Sequence, residues 1–228
     1  MGIFRNSSTQ RVAWFFAISG VLLAACGIAW QLSSTDYMAS GSSERVFLLD
    51  VEYDKFRQIL VRNDVTNEVI AASGLTLKSD DLENLVVDTT KDRRPVINAL
   101  LGRSKTELEA TKHLTVSVKN AEVNLDTLDL TQHAEVGNDL ISVRTVADRP
   151  TGKLESYETS LKAKRVVKGT EVVVAVQLKV NTTLPRLFQG TARERVQAAA
   201  DKTTKEQEAT LRNVIVKHSK ELTLVLKK

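Results

Sequence analysis

The chain has 228 residues, 42% hydrophobic and 26% charged, a balance that excludes a disordered protein and accommodates one domain with an appendage. Lys plus Arg 32 against Asp plus Glu 28 gives a net charge of +4 with both signs interspersed, and aromatic residues are 5%, so neither a basic nucleic-acid stripe nor a base-stacking platform is present. The single cysteine, Cys26, excludes an intramolecular disulfide.

Residues 12–30, VAWFFAISGVLLAACGIAW, carry no formal charge. As a helix they cover about 28 Å, enough to span the hydrocarbon of a bilayer. Trp14 and Trp30 stand near the two ends, where indole rings favour the lipid–water interface. Arg5 and Arg11 precede the segment and no Lys or Arg follows it until Arg45, so the positive-inside rule leaves the N-terminus in the cytoplasm. The expectation is a single-pass anchor in the cell (inner) membrane over residues 1–30, with everything beyond it extracytoplasmic or periplasmic. A rival reading starts from Leu23-Ala24-Ala25-Cys26, which resembles a bacterial lipobox; the chain would then be cleaved before Cys26 and held by a lipid on that residue. Against it, the apolar run continues to Trp30. Both readings tether the rest of the chain to a membrane. Residues 31–43, QLSSTDYMASGSS, have the composition of a flexible linker, averaging about 20 Å end to end.

The domain is expected over 44–228. RVFLLDV (45–51) is a short apolar run, consistent with a first strand. In the next stretch Phe56, Ile59 and Leu60 share a helical face continued by Val65, Val69 and Ala72, predicting one helix, or two with a break around Asp64, ending at Gly74. Asp80, with Glu83 three residues on, predicts a second short helix over 80–87. Residues 88–113 show only a weak pattern punctuated by Pro95 and Gly102, read as mixed helix and loop.

Beyond His113 the period becomes two. Strands are predicted at 114–118, 122–136 with a parity switch near Asp126-Thr127, 140–147, 155–164 and 171–180, an antiparallel meander apolar on one face. Such a sheet needs a lid. After Pro185, Phe188, Ala192, Val196, Ala199, Thr203, Leu211, Val214 and His218 recur at three or four, predicting one helix over 186–218 of about 50 Å. ELTLVLKK at the end reads equally as a strand or a frayed helix.

This order resembles the helix-grip fold of the START-like superfamily, also called SRPBCC or the polyketide cyclase/dehydrase group, over about residues 44–218. The resemblance is strongest at KGTEVVVAVQLKV followed by LPRLF, where many members carry a Gly-Thr-x-Val strand and a proline-led helix; here these are Gly169, Thr170, Val172 and Pro185. It implies an α+β fold in which a curved antiparallel sheet wraps a long C-terminal helix, here with a transmembrane helix in front. It also implies a cavity for lipids or other apolar ligands, with Val143, Thr145, Tyr157, Thr159, Leu161, Val174, Val176 and Leu178 lining it and Val196, Ala199, Ala200 and Thr203 as its roof. The competing reading is that these side chains fill a close-packed core.

No catalytic signature stands out. His113, His133 and His218 are far apart and no second cysteine exists, so no zinc site, and no cofactor, is indicated. His133 with Glu135 reads as a solvated strand edge, His218 as a residue that favours the negative helix end. Neither a phosphate-binding glycine loop nor a G-x-S-x-G elbow occurs. The leading expectation is a non-catalytic, membrane-tethered module for an apolar ligand such as a lipid. Two alternatives remain: a cyclase or hydrolase using Tyr157, Thr159 or His133, which requires those groups to converge, and a structural or assembly module that holds a protein partner by its sheet edge or helix.

Overall fold

The computed structural model describes residues 32–61, 68–71, 75–90, 106–120 and 125–225. Among them, seven strands form one antiparallel sheet: β1 (Ser34–Leu49), β2 (Leu75–Asp88), β3 (Glu107–Asn120), β4 (Leu125–Val136), β5 (Leu140–Ala147), β6 (Leu154–Val166) and β7 (Gly169–Pro185). Their order is β1-β7-β6-β5-β4-β3-β2. Helix α1 (Tyr53–Leu60) follows β1, and helix α2 (Gln189–Val225) closes the described chain after a single 3-10 turn, Arg186–Phe188. This is an α+β fold of the helix-grip type: a seven-stranded antiparallel sheet against one long C-terminal helix.

The period-two pattern builds the meander as expected. In β7 Thr170, Val172, Val174 and Val176 are buried while their neighbours are half-exposed. Each valine removed from water is worth about 1.5–3 kcal/mol at most. Chain reversal from β6 into β7 needs Gly169, whose φ of 127° is one L side chains rarely adopt and whose added Cβ would lie 2.2 Å from the Leu49 carbonyl oxygen. Thr170 then donates its hydroxyl to the Val51 carbonyl at 2.8 Å. The Gly-Thr pair therefore fastens the end of β1 to the start of β7.

Four expectations are corrected. Residues 34–43 are not a coil but the first half of β1, paired residue by residue with β7 from Ser34↔Pro185 to Leu49↔Thr170. Residues 80–87 are not helical but lie in β2, where two bulges break the alternation that marks a strand. The part of 88–113 that is described after residue 105 is strand: Glu107–His113 belongs to β3. And α2 runs past the expected end at His218 to Val225, 37 residues or about 55 Å, so of the two readings of ELTLVLKK its described part, 221–225, is helix; residues 226–228 lie outside the described residues. Residues 62–67, 72–74, 91–105 and 121–124 lie outside the described residues, and with them the expected helix break at Asp64. So do residues 1–31, which hold the expected anchor and Cys26. Among the described residues no helix is long and apolar enough to cross a membrane.

The core lies between the sheet, α1 and the second half of α2. Phe56 and Ile59 of α1 meet Leu211, Val214 and Ile215 of α2 over Ile141, Val172 and Val174. Tyr53 donates its hydroxyl to the Gly137 carbonyl at 3.0 Å, and Arg165 stacks over its ring at 4.9 Å. Arg165 also grips Asp54 with two hydrogen bonds of 2.7 and 3.1 Å, fixing α1 to the end of β6. A second cluster joins Leu114 and Val116 of β3 to Leu128 and Leu130 of β4, with Ile70, Leu75, Leu77 and Tyr157 packed against it.

Candidate ligand cavity

Residues directly opposite in an antiparallel pair point to the same side of a sheet. On the face turned to α2, one line of opposed residues reads Ala110, Ala134, Val143, Leu161, Val174 across β3 to β7. One step along the strands the line reads Lys112, Gln132, Thr145, Thr159, Val176, and the next begins Leu114, Leu130, Ala147. A single polar row thus crosses β3, β4, β5 and β6 between two apolar ones. Gln132 donates its amide to the Thr145 hydroxyl at 3.2 Å, and Lys112 pairs with Asp80 of β2 at 3.0 Å.

Over these rows lies a partly enclosed cavity of about 200 Å³. Its floor includes Val143, Thr145, Tyr157, Thr159, Leu161 and Val174; α2 contributes Gln207 and Leu211, and Leu60 and Val69 close one end. Six of the twelve expected ligand positions are therefore brought together. Val176 and Leu178 do not line the space, Val176 being packed away completely. None of the four expected roof residues lines it either. Ala200 is fully buried, Thr203 is half-buried and turns its hydroxyl to the Ala199 carbonyl at 2.9 Å, and Val196 lies where α2 rides on Gly41 of β1. Ala199 is exposed, so close approach of α2 to β1 rests on Gly41 of the strand, and the roof, Gln207 and Leu211, lies further along the helix.

Lys112, Gln132 and Gln207 escaped the sequence reading. The signal for the first two was available: each interrupts the apolar parity of its strand, Lys112 between Ala110 and Leu114, Gln132 between Leu130 and Ala134. Gln207 is buried on the inner face of α2 and half a helix away from the strands in sequence, so only the fold shows its place.

Tyr157 is open to the cavity but walled by protein, and burial pushes its phenol up to about 12, partly offset by a hydrogen bond from Thr159. It is therefore a neutral hydrogen-bonding group at ordinary pH. His133 does not join Tyr157 and Thr159: adjacent to Gln132 on β4, it faces the opposite side of the sheet, where its Nδ1 meets the Thr111 hydroxyl at 3.0 Å. His218 sits inside α2 rather than at its end, buried, with Nε2 3.7 Å from Glu68. Among the described residues no group of three His, Cys, Asp or Glu is placed to hold a metal ion.

No protein-family model matches the chain. No curated protein matches its sequence. Solved structures do resemble it in outline. An uncharacterized protein from Rhizobium leguminosarum is 12% identical, with 80% of this chain and 99% of that one covered at a TM-score of 0.46. TTHA0849 from Thermus thermophilus is 11% identical, with 79% and 99% covered at 0.44. The Zhui aromatase/cyclase from Streptomyces sp. R1128 is 11% identical, with 79% and 94% covered at 0.40. These scores are low, and the fold assignment stands on this chain's own strand order and helix placement. The class defined is a helix-grip domain with a small cavity between sheet and helix.

Proposed function

We propose that the domain is a non-catalytic, START-like binding module that holds one compact, largely apolar small molecule between its sheet and α2. The observation that carries this reading is the cavity itself: about 200 Å³ of space walled mainly by Val, Leu, Ala and Thr where close packing is the rule for protein interiors. That volume exceeds an apolar cavity of about 150 Å³ known to take up benzene and falls below the roughly 300–1,000 Å³ of drug-sized sites. A single-ring molecule or a short chain fits; a sterol or a two-chain lipid does not. His133 lies on the far side of the sheet, and among the described residues lining the cavity no His, Asp or Glu stands beside Tyr157 and Thr159, which favours binding over hydrolysis or cyclisation.

The same proposal places the domain outside the cytoplasm, tethered by residues 12–30 as an uncleaved anchor. Native mass spectrometry of the full-length chain purified from its host tests the binding role: a discrete adduct of small mass is expected, and bare protein together with no thermal shift on adding single-ring probes would overturn it. Membrane fractionation tests the tether. Intact-mass analysis of the membrane-extracted chain separates the two tethers: retention of residues 12–25 is expected, whereas a chain that begins at a lipid-modified Cys26 would establish the lipid-anchored alternative.

A further inference from the structure

We infer that the cavity selects a neutral, oxygen-bearing ligand over a hydrocarbon or an anion of the same size. The inference rests on the binding reading above and concerns the polar row that crosses the cavity floor.

Thr145 accepts from the Gln132 amide at 3.2 Å, so its own hydroxyl proton remains for another acceptor. Gln132 keeps a second N–H and a carbonyl oxygen. The row therefore presents donors and acceptors side by side in a space walled mainly by apolar side chains, with the Tyr157 phenol as a further neutral polar group. A hydrocarbon entering it displaces water from these groups and returns no hydrogen bond, a loss that a hydroxyl or carbonyl oxygen on the ligand avoids.

Charge excludes the other extreme. Among the described residues lining the cavity Lys112 is the one cation, and its ammonium is paired with Asp80 at 3.0 Å. An anion would meet a cation already neutralised and would give up its own hydration on entry. A phenol, or a similarly small ring or chain with a hydroxyl or carbonyl group, matches both the polarity and the volume.

Toluene, p-cresol and 4-methylbenzoate share a ring and a methyl group and differ in the fourth-position group. Equilibrium dialysis against the full-length chain fixes the free concentration of each, and methyl NMR shifts of Leu161 and Val174 read occupancy. p-Cresol should bind about three- to tenfold tighter than toluene, with 4-methylbenzoate weakest. Thr145→Val should erase that preference by weakening p-cresol alone, and Thr145→Ser should retain it; Gln132→Leu should act like Thr145→Val and carries the same comparison if that variant does not fold. Equal affinity for toluene and p-cresol, tightest binding of the anion, or a preference that survives both variants overturns the inference while leaving the binding role in place. No methyl shift with any probe overturns both.

Discussion

The side-chain amide of Gln197 on α2 engages both backbone groups of Ser42 on β1: Oε1 accepts from the Ser42 N–H at 3.2 Å and Nε2 donates to the Ser42 carbonyl at 2.7 Å. An edge strand exposes unpaired donors and acceptors, and here a helix residue stands in for the missing neighbour. The approach depends on Gly41, where an added Cβ would lie 2.6 Å from the Val196 carbonyl oxygen and 2.8 Å from the Gln197 Cα. Gly41→Ala is expected to destabilise the domain by about 1–3 kcal/mol through overpacking, and Gln197→Ala by about 1–2 kcal/mol through the lost bonds. Urea unfolding measures both; stabilities unchanged within about 0.5 kcal/mol would show that α2 does not ride on β1 in this way.

Neighbouring residues of α2 should respond very differently to truncation. Ile215 is fully buried against α1 and the sheet, while Val216 is 47% exposed. Ile215→Ala should cost about 2–5 kcal/mol and Val216→Ala no more than about 0.5 kcal/mol. Comparable losses at the two positions, in the same unfolding assay, would mean that the helix is rotated from the described orientation.

The legible part of the fold was the part governed by one simple rhythm. The second half of β3, the strands β4 to β7, and α2 as far as His218 follow from periods of two and of three to four. β2 misled because Leu82, Leu85 and Val86 fall at helical spacing after an Asp80…Glu83 cap signature, and its bulges at Leu77/Ser79 and Leu82/Asn84 remove the alternation that would have exposed the error. The start of β1 misled by composition: Ser and Gly mark linkers, yet here they let a helix lie flat on a strand. The cavity floor was half legible, since Val143, Thr145 and Leu161 sit in phase on strands. Its roof was not, because which turn of a long helix faces a hollow depends on where the helix crosses the sheet, and no local pattern encodes a crossing point.

Acid should weaken the domain in a defined window. The Arg45 hydrogen bond, aided by Arg212, holds Glu208 below the ordinary glutamate value of 4.5 against the opposing effect of burial, and the Arg144 hydrogen bond does the same for Glu158. A depressed folded-state value means that the unfolded chain takes up these protons first, so stability rises with pH across the gap. The contribution is complete above 4.5 and lost as pH falls through the lower folded-state values. Glu208→Gln should make the acid limb of a stability–pH curve shallower; an identical limb in wild type and variant would remove this pair from the account.

At the alkaline end two tyrosines report on the interior. Burial pushes both Tyr53 and Tyr157 up to about 12 from the ordinary 10.0. The folded form holds these protons where the unfolded chain has released them, so their contribution is intact below 10.0 and disappears as pH climbs from there to about 12. In an ultraviolet absorbance titration, Tyr157→Phe and Tyr53→Phe should each remove tyrosinate signal from the late part of the curve. Loss from the early part instead would place the affected ring in water.

The two margins of the sheet are not treated alike. α2 seals the β1 side, whereas no described strand pairs with the outer side of β2, which displays Leu82, Leu85, Val86 and Val87 to solvent. Strands of this kind recruit copies of themselves, and β2 carries its own deterrent: laid antiparallel on a twin, 81–88 would set Asp81 against Asp88 at each end of the greasy stretch. Colloidal behaviour should accordingly hinge on three acidic side chains, Asp81, Glu83 and Asp88, and clumping on acidification or in strong salt should begin at this border rather than in the interior.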